Sequence, residues 1–335
     1  MGTRSVIGDK KVETARKKVY KTLLSCIGVR KMGIEYESLP FTFLGLDEES
    51  SSFEKARVVI LPVPYDRTAF YGAGTRLGPL RMIEASRYME TLDEELGAEI
   101  KNIGIHTLPL MEVPATGPRD MVELMEDVVG QIHQSGKFPV ILGGEHSIGI
   151  GAVRALASRI KDFGVVQLDA HADLREDYEG SKYSHACFAS RASEQGPVFQ
   201  IGIRSRCSDE SKNPASHPVW TVTAAEFMGG DLWKSEMIER MTENVYLSVD
   251  LDVFDPSVLP AVGSPEPGGL MWNDVLEAIR FTCTNLNVVG MEFTELAPIP
   301  GIPAYDFTAA KLAYKAIGYR FFAGEGKPRE AADEK

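Results

Sequence analysis

The stretch FGVVQLDAHAD, residues 163–173, decides the fold. A short apolar run rich in β-branched residues ends there in Asp, His and Asp. The same plan recurs in ARVVILPVP (56–64), KFPVILGGEH (137–146), PVFQIGIRS (197–205), ENVYLSVDLD (243–252) and NVVGMEF (287–293). Between these runs lie segments with helical spacing, at 121–135, 147–160, 272–285 and 309–322. Continuous apolar strands alternating with amphipathic helices indicate βαβ units and a mostly parallel sheet buried on both faces. The rhythm runs from about residue 57 to 322 with no Ser/Pro/Gly linker to cut it. The expectation is one large α/β domain over 36–323, preceded by a basic extension (1–35) and followed by a polar tail, GEGKPREAADEK (324–335).

The chain has 335 residues, 44% hydrophobic and 25% charged, the composition of a globular protein with a large core. Its formal charge is −12, which argues against nucleic-acid binding through phosphate neutralisation. An acidic protein also favours a cationic small molecule over an anionic one. Residues 1–33 run against this balance, with nine Lys/Arg and two acids. They read as a solvated extension, a transit peptide, or residues upstream of a start at Met32. No apolar run approaches the ~18 residues of a membrane span. The four cysteines, Cys26, Cys187, Cys207 and Cys283, are scattered without CxxC pairs, which fits a reducing, cytoplasmic setting.

In open parallel sheets ligands bind at the carboxyl ends of strands. Three such ends here carry metal-ligand chemistry. Asp169, His171 and Asp173 are spaced two apart, so in extended chain all three side chains face one side. Asp250 and Asp252 repeat that spacing after VYLSV, and His146 follows PVILGG. Neutral imidazoles and four carboxylates make a strongly negative site, which a pair of divalent cations would neutralise. Carboxylate-rich mixed O/N ligation suits Mn²⁺, with other divalent ions as alternatives. Two such ions about 3.5–4 Å apart can share a water and lower its pKa toward neutrality, supplying a hydroxide for metal-assisted hydrolysis. His146, His171 and His185 are read as site residues, and His106, His133 and His217 as structural or surface residues.

LGGEHSIGIGAVRA (142–155), VVQLDAHAD (165–173) and SVDLDVFDPSVLPAVGSPEPGG (248–269) resemble, in order and spacing, the three signature blocks of the ureohydrolases, the arginase and agmatinase family. The resemblance extends from about residue 40 to 322. YDRTAFYGAGTRLGP (65–79) and DAHADLREDYEGSKYSHACF (169–188) are closer to agmatinases than to arginases. It implies a three-layer αβα sandwich of the arginase type holding two Mn²⁺ ions. One would be held by His146, Asp169, Asp173 and Asp250, the other by Asp169, His171, Asp250 and Asp252, with Asp169 and Asp250 bridging. His185 falls where the family places a proton-shuttling histidine. Glu295, in GMEFTELAP (290–298), falls where it places the carboxylate that grips a guanidinium. A carboxylate can accept two parallel bonds from that planar fork; the alternative for Glu295 is an acid at a helix N-terminus. Two departures stand out: Glu145 where the family often has Asp, and Ala186-Cys187 after His185 where Gly is common.

The resemblance implies hydrolysis of agmatine to putrescine and urea, a step of polyamine biosynthesis, by a homo-oligomer (trimer or hexamer). Guanidinobutyrate, guanidinopropionate and arginine are the rival substrates. A noncatalytic guanidine-binding relative and a hydrolase of amide or formimino groups are the rival classes. Glu176, Asp177 and Glu179, in the loop after Asp173, are expected at the mouth, where they would favour an ammonium tail or simply face solvent.

Overall fold

The computed structural model describes residues 39–210 and 215–323. The expected N-terminal extension and C-terminal tail lie outside the described residues. The described residues form ten strands: β1 (Val58–Val63), β2 (Leu92–Asp93), β3 (Ala98–Glu99), β4 (Ile105–Thr107), β5 (Phe138–Gly143), β6 (Phe163–Leu168), β7 (Val198–Ile203), β8 (Val219–Thr223), β9 (Asn244–Asp250) and β10 (Asn287–Thr294). Eight of them form one sheet in the order β4-β1-β5-β10-β9-β6-β7-β8, every pairing parallel. β2 and β3 make a separate antiparallel pair.

The helices are α1 (Gly78–Ser86), α2 (Pro118–Gln134), α3 (Gly149–Ala157), α4 (Phe188–Ala192), α5 (Ala224–Met228), α6 (Leu232–Arg240), α7 (Trp272–Asn285) and α8 (Ala304–Phe322). Alternate residues of each strand feed two separate cores. Val166, Leu168, Leu247, Val249, Met291 and Phe293 pack with α1, α5, α6, α7 and α8 on one face. Val165, Tyr246, Val59, Leu61 and Ile141 pack with α2 and α3 and with Phe188 of α4 on the other. This is the parallel sheet buried on both faces that the continuous apolar strands indicate, and the three-layer αβα sandwich that the family resemblance implies, since a sheet covered on both faces has no solvent side to make polar.

All six strands expected from the sequence are present, as are the four expected helices. The additions are the sheet's edges, β4 and β8, the β2–β3 pair, and the helices α1, α4, α5 and α6. β8 is mostly half-buried and β4 is three residues long, so neither carries the continuous apolar run that marks the central strands. Among the described residues, no helix is long and apolar enough to cross a membrane.

Candidate metal centre

β5, β6 and β9 stop at the same level of the sheet, and their ends converge. Asp169 and His171 follow β6, Asp250 closes β9, and His146 opens the turn after β5. Oxygen and nitrogen atoms of His146, Asp169 and Asp250 lie within 4.8 Å of one another, as do those of Asp169, His171 and Asp252. Asp169 is common to both groups. Asp173 joins the first, its Oδ2 3.2 Å from His146 Nδ1. Asp250 enters the first group only.

His146 Nδ1 is buried and has no hydrogen-bond partner. It faces Asp169 Oδ2 at 3.2 Å, Asp173 Oδ2 at 3.2 Å and Asp250 Oδ2 at 3.4 Å, none of them aligned to pair with it. An orphaned ring nitrogen among three carboxylate oxygens is a donor set for a cation. On the other side of Asp169, His171 Nδ1 lies 2.8 Å from Asp252 Oδ2 and 3.7 Å from Asp169 Oδ1. Burial first, then the charges of Asp252 and Asp173, push Asp169 up to about 7. Burial and the neighbouring carboxylates hold Asp250 well above its usual range. So much like charge in one buried place calls for cations, and the residues present fit two.

The clustered side chains are held from beneath by a polar row that crosses four strands. Gln200 of β7 is in register with Gln167 of β6, Gln167 with Ser248 of β9, and Ser248 with Glu292 of β10. All four are fully buried. Gln167 Nε2 donates to Asp169 Oδ2 (2.7 Å), and Gln200 Nε2 donates to Gln167 Oε1 (2.9 Å). Ser248 Oγ donates to Glu292 Oε1 and lies 2.7 Å from His146 Nε2. With its proton given to Glu292, Ser248 can only accept from His146, so Nε2 carries the hydrogen and Nδ1 the free lone pair. Gly149 opens α3 against this carboxylate, where a Cβ would lie 2.2 Å from Glu292 Oε1. The His146 ring stacks on Phe188 with centroids 4.0 Å apart.

A cavity of about 430 Å³ opens over the cluster, lined by His146, His171, Asp173, Asp250 and Asp252 together with His185 and Glu295. Glu295 follows β10 rather than starting a helix, in a left-handed conformation with φ 66°. Its N–H donates to Gly144 O (2.7 Å), and its Oε1 accepts from His146 N–H (2.8 Å). Asp173 is left-handed too, with φ 50°. Such conformations cost about 1–3 kcal/mol each and persist where surrounding contacts enforce them. Burial and the nearby Glu145 charge hold the Glu295 carboxyl well above its usual range, a setting that a bound cation reverses.

The loop after Asp173 reaches the mouth as expected, and its three acids take the second of the two expected roles, exposed to solvent. Of the loop after Asp173, Arg175 and Tyr178 line the cavity, whereas Glu176 turns to Arg191 at 2.6 Å. The acid at the wall is Glu210, whose carboxylate accepts from Cys207 N–H (2.6 Å) and Leu174 N–H (3.3 Å). Phe70 and Tyr71 complete an aromatic rim. His106 and His217 face away, each with Nδ1 on a backbone carbonyl, of Ser51 and Ser193 respectively.

The sequence profile described as Arginase family matches residues 56–318. The chain belongs to the arginase family. This arginase-family ureohydrolase is 39% identical over 293 residues to the N(1)-aminopropylagmatine ureohydrolase of Synechocystis sp., a match covering 85% of this chain and 95% of that protein. It is 34% identical over 264 residues to an agmatinase of Bacillus anthracis, covering 74% and 86% respectively. Among solved structures, the agmatine ureohydrolase of Thermoplasma volcanium matches with a TM-score of 0.74 at 31% identity, covering 87% of this chain and 96% of that one.

Proposed function

We propose that this ureohydrolase cleaves the guanidinium of a linear guanidino-amine, with agmatine as the reference substrate and putrescine and urea as products. The observation that carries the reading is Glu295, a buried carboxylate on the wall of the same cavity as His185 and five of the six clustered residues, Asp169 lying beneath them. One of its oxygens is held by the His146 N–H, which fixes the side chain facing the cluster. A planar cation bound there brings its electrophilic carbon against the clustered carboxylates in a fixed pose. Two divalent cations, with Mn²⁺ the best match to this donor set, would supply an activated water and polarise the scissile group. His185 at the wall is placed to move a proton to or from the substrate.

The tail is where the substrate is chosen. Glu210 and the aromatic ring faces of Phe70, Tyr71 and Tyr178 offer an ammonium group charge and cation–π contact. The cavity is in the size range of drug-like ligands rather than of fragments, which favours an extended tail. That observation and the name of the Synechocystis relative support a second reading, agmatine extended by an aminopropyl group. Placement in polyamine biosynthesis, a cytoplasmic setting and self-association as trimers or hexamers belong to the same proposal, resting on the family resemblance.

Urea release with saturating Mn²⁺ across agmatine, N1-aminopropylagmatine, arginine, guanidinobutyrate and guanidinopropionate tests the reading. Turnover confined to the two amine-tailed substrates is the expected result. A preference for guanidinobutyrate or arginine would overturn it, and no urea from any of them would leave a noncatalytic relative.

A further inference from the structure

Glu145, the residue that departs from the family's usual Asp, is fully buried and takes no part in the cation cluster. Four donors converge on it. Thr68 N–H (2.5 Å) and Ala69 N–H (3.1 Å) donate to Oε2, and the hydroxyls of Thr68 (2.6 Å) and Ser147 (2.5 Å) donate to Oε1. Backbone N–H groups cannot accept, and four donors fill the acceptor capacity of a carboxylate. The Thr68 proton is therefore committed to Glu145. Its oxygen keeps only lone pairs, and His185 uses both: its backbone N–H donates to Thr68 Oγ1 at 3.1 Å, and its Nδ1 lies 3.1 Å from the same oxygen. An oxygen with no proton left to give can meet Nδ1 only as an acceptor. Nδ1 then has to carry the hydrogen.

We propose that Glu145, acting through Thr68, is a positioning residue that fixes His185 as its Nδ1–H tautomer and leaves Nε2 with the free lone pair. This rests on the reading of His185 as the group that moves a proton. Taking a proton at Nε2 makes the imidazolium, and giving it up restores the same neutral form, so Thr68 need not move in either direction. The other groups at the ring do not oppose this. Ser184 Oγ, 3.3 Å from Nδ1, can accept from the same N–H, and Tyr178 meets the ring edge-on. The carboxylate also fastens the segment carrying Phe70 and Tyr71, so the residue that sets the proton carrier sets the rim as well.

The test reads the tautomer directly. Histidine-labelled protein, loaded with a diamagnetic divalent cation such as Zn²⁺, gives long-range ¹⁵N–¹H spectra with six imidazoles to assign. In wild type, neutral His185 should show a protonated Nδ1 and a bare Nε2. Thr68→Ser keeps the oxygen and should keep both that pattern and the rate. Thr68→Val and Glu145→Gln should shift His185 toward Nε2–H and lower kcat by about tenfold or more, a part of the ~10²–10⁴ that a positioned proton carrier contributes, with metal content little changed; KM should hold in Thr68→Val, which keeps the backbone N–H bonds to Glu145, and rise in Glu145→Gln, which weakens the hold on the rim. A wild-type spectrum with hydrogen on Nε2 would overturn the proposal, as would an unchanged tautomer in both Thr68→Val and Glu145→Gln. Should no guanidino substrate be turned over, the functional reading fails while the tautomer still decides the role of Glu145.

Discussion

The Ser248 hydroxyl stands between a metal-ligand candidate and a buried acid: it donates to Glu292 Oε1 at 2.7 Å and lies 2.7 Å from His146 Nε2. The pair fixes which imidazole nitrogen meets the cation. Ser248→Ala removes the acceptor and leaves His146 free to choose the wrong tautomer. Cation affinity should fall about 10–100-fold, the usual consequence of losing a group that orients a ligand. Calorimetric titration of the metal-free protein checks this, and an unchanged affinity would show that Ser248 only fills space.

Asp169 is shared by both ligand groups. Asp169→Asn keeps its size and removes the charge that two cations would divide between them. Elemental analysis after dialysis should find at least one of two ions lost, and hydrolysis should be abolished. A variant with two ions and full rate would contradict the shared role.

Glu295→Gln keeps an oxygen for the His146 N–H and loses the anion facing the guanidinium. A hydrogen bond to a charged group is worth roughly 1.5–3 kcal/mol, so kcat/KM should drop about 10–100-fold with metal content unaltered. Steady-state kinetics with agmatine measures it, and unchanged kinetics would remove Glu295 from the guanidinium site.

Cation affinity should rise with pH. Burial alone would strip the proton from His171, but Asp252 outweighs it and pushes the imidazole up to about 10, while Asp169 is pushed up to about 7. Both values lie above the ordinary ones of 6.5 and 3.8. Without metal, the stability these two protons contribute is therefore present at low pH and lost as pH rises, through 7 for Asp169 and through 10 for His171. A divalent ion has to displace the same protons, so binding releases them and strengthens with pH. Between about pH 6 and pH 9, Kd should fall at least about tenfold, and the Tm gain from saturating metal should grow. Affinity independent of pH would contradict these protonation states.

The six central strands were legible because each is a short apolar run ending in Gly, Asp, Pro or Ser, and the cluster of Asp169, His171, Asp250 and Asp252 because those residues sit two apart at such ends. Gln167, Gln200, Ser248 and Glu292 were not. Each is one polar residue inside an apolar strand, and only the register across four strands makes them a row. Ser248 lies two residues before Asp250, and Gln167 two before Asp169, so the signal was present but had no partner within its own strand. Proximity in sequence left Glu176, Asp177 and Glu179 either as partners of an ammonium tail or as solvated residues, and they are exposed. The turn that carries them sends Glu176 to Arg191, and Glu210 reaches the wall from a segment over thirty residues away in the chain. Loop geometry of that kind is set by tertiary packing and leaves no periodic trace.

If two cations share Asp169, urea release should need both of them. Metal-free protein titrated with Mn²⁺ while urea from agmatine or N1-aminopropylagmatine is recorded tests it most directly. Two ions should bind per chain, with urea production reaching its plateau only as the second site fills. Full activity at a single ion per chain, or two ions bound with no urea released, would contradict it.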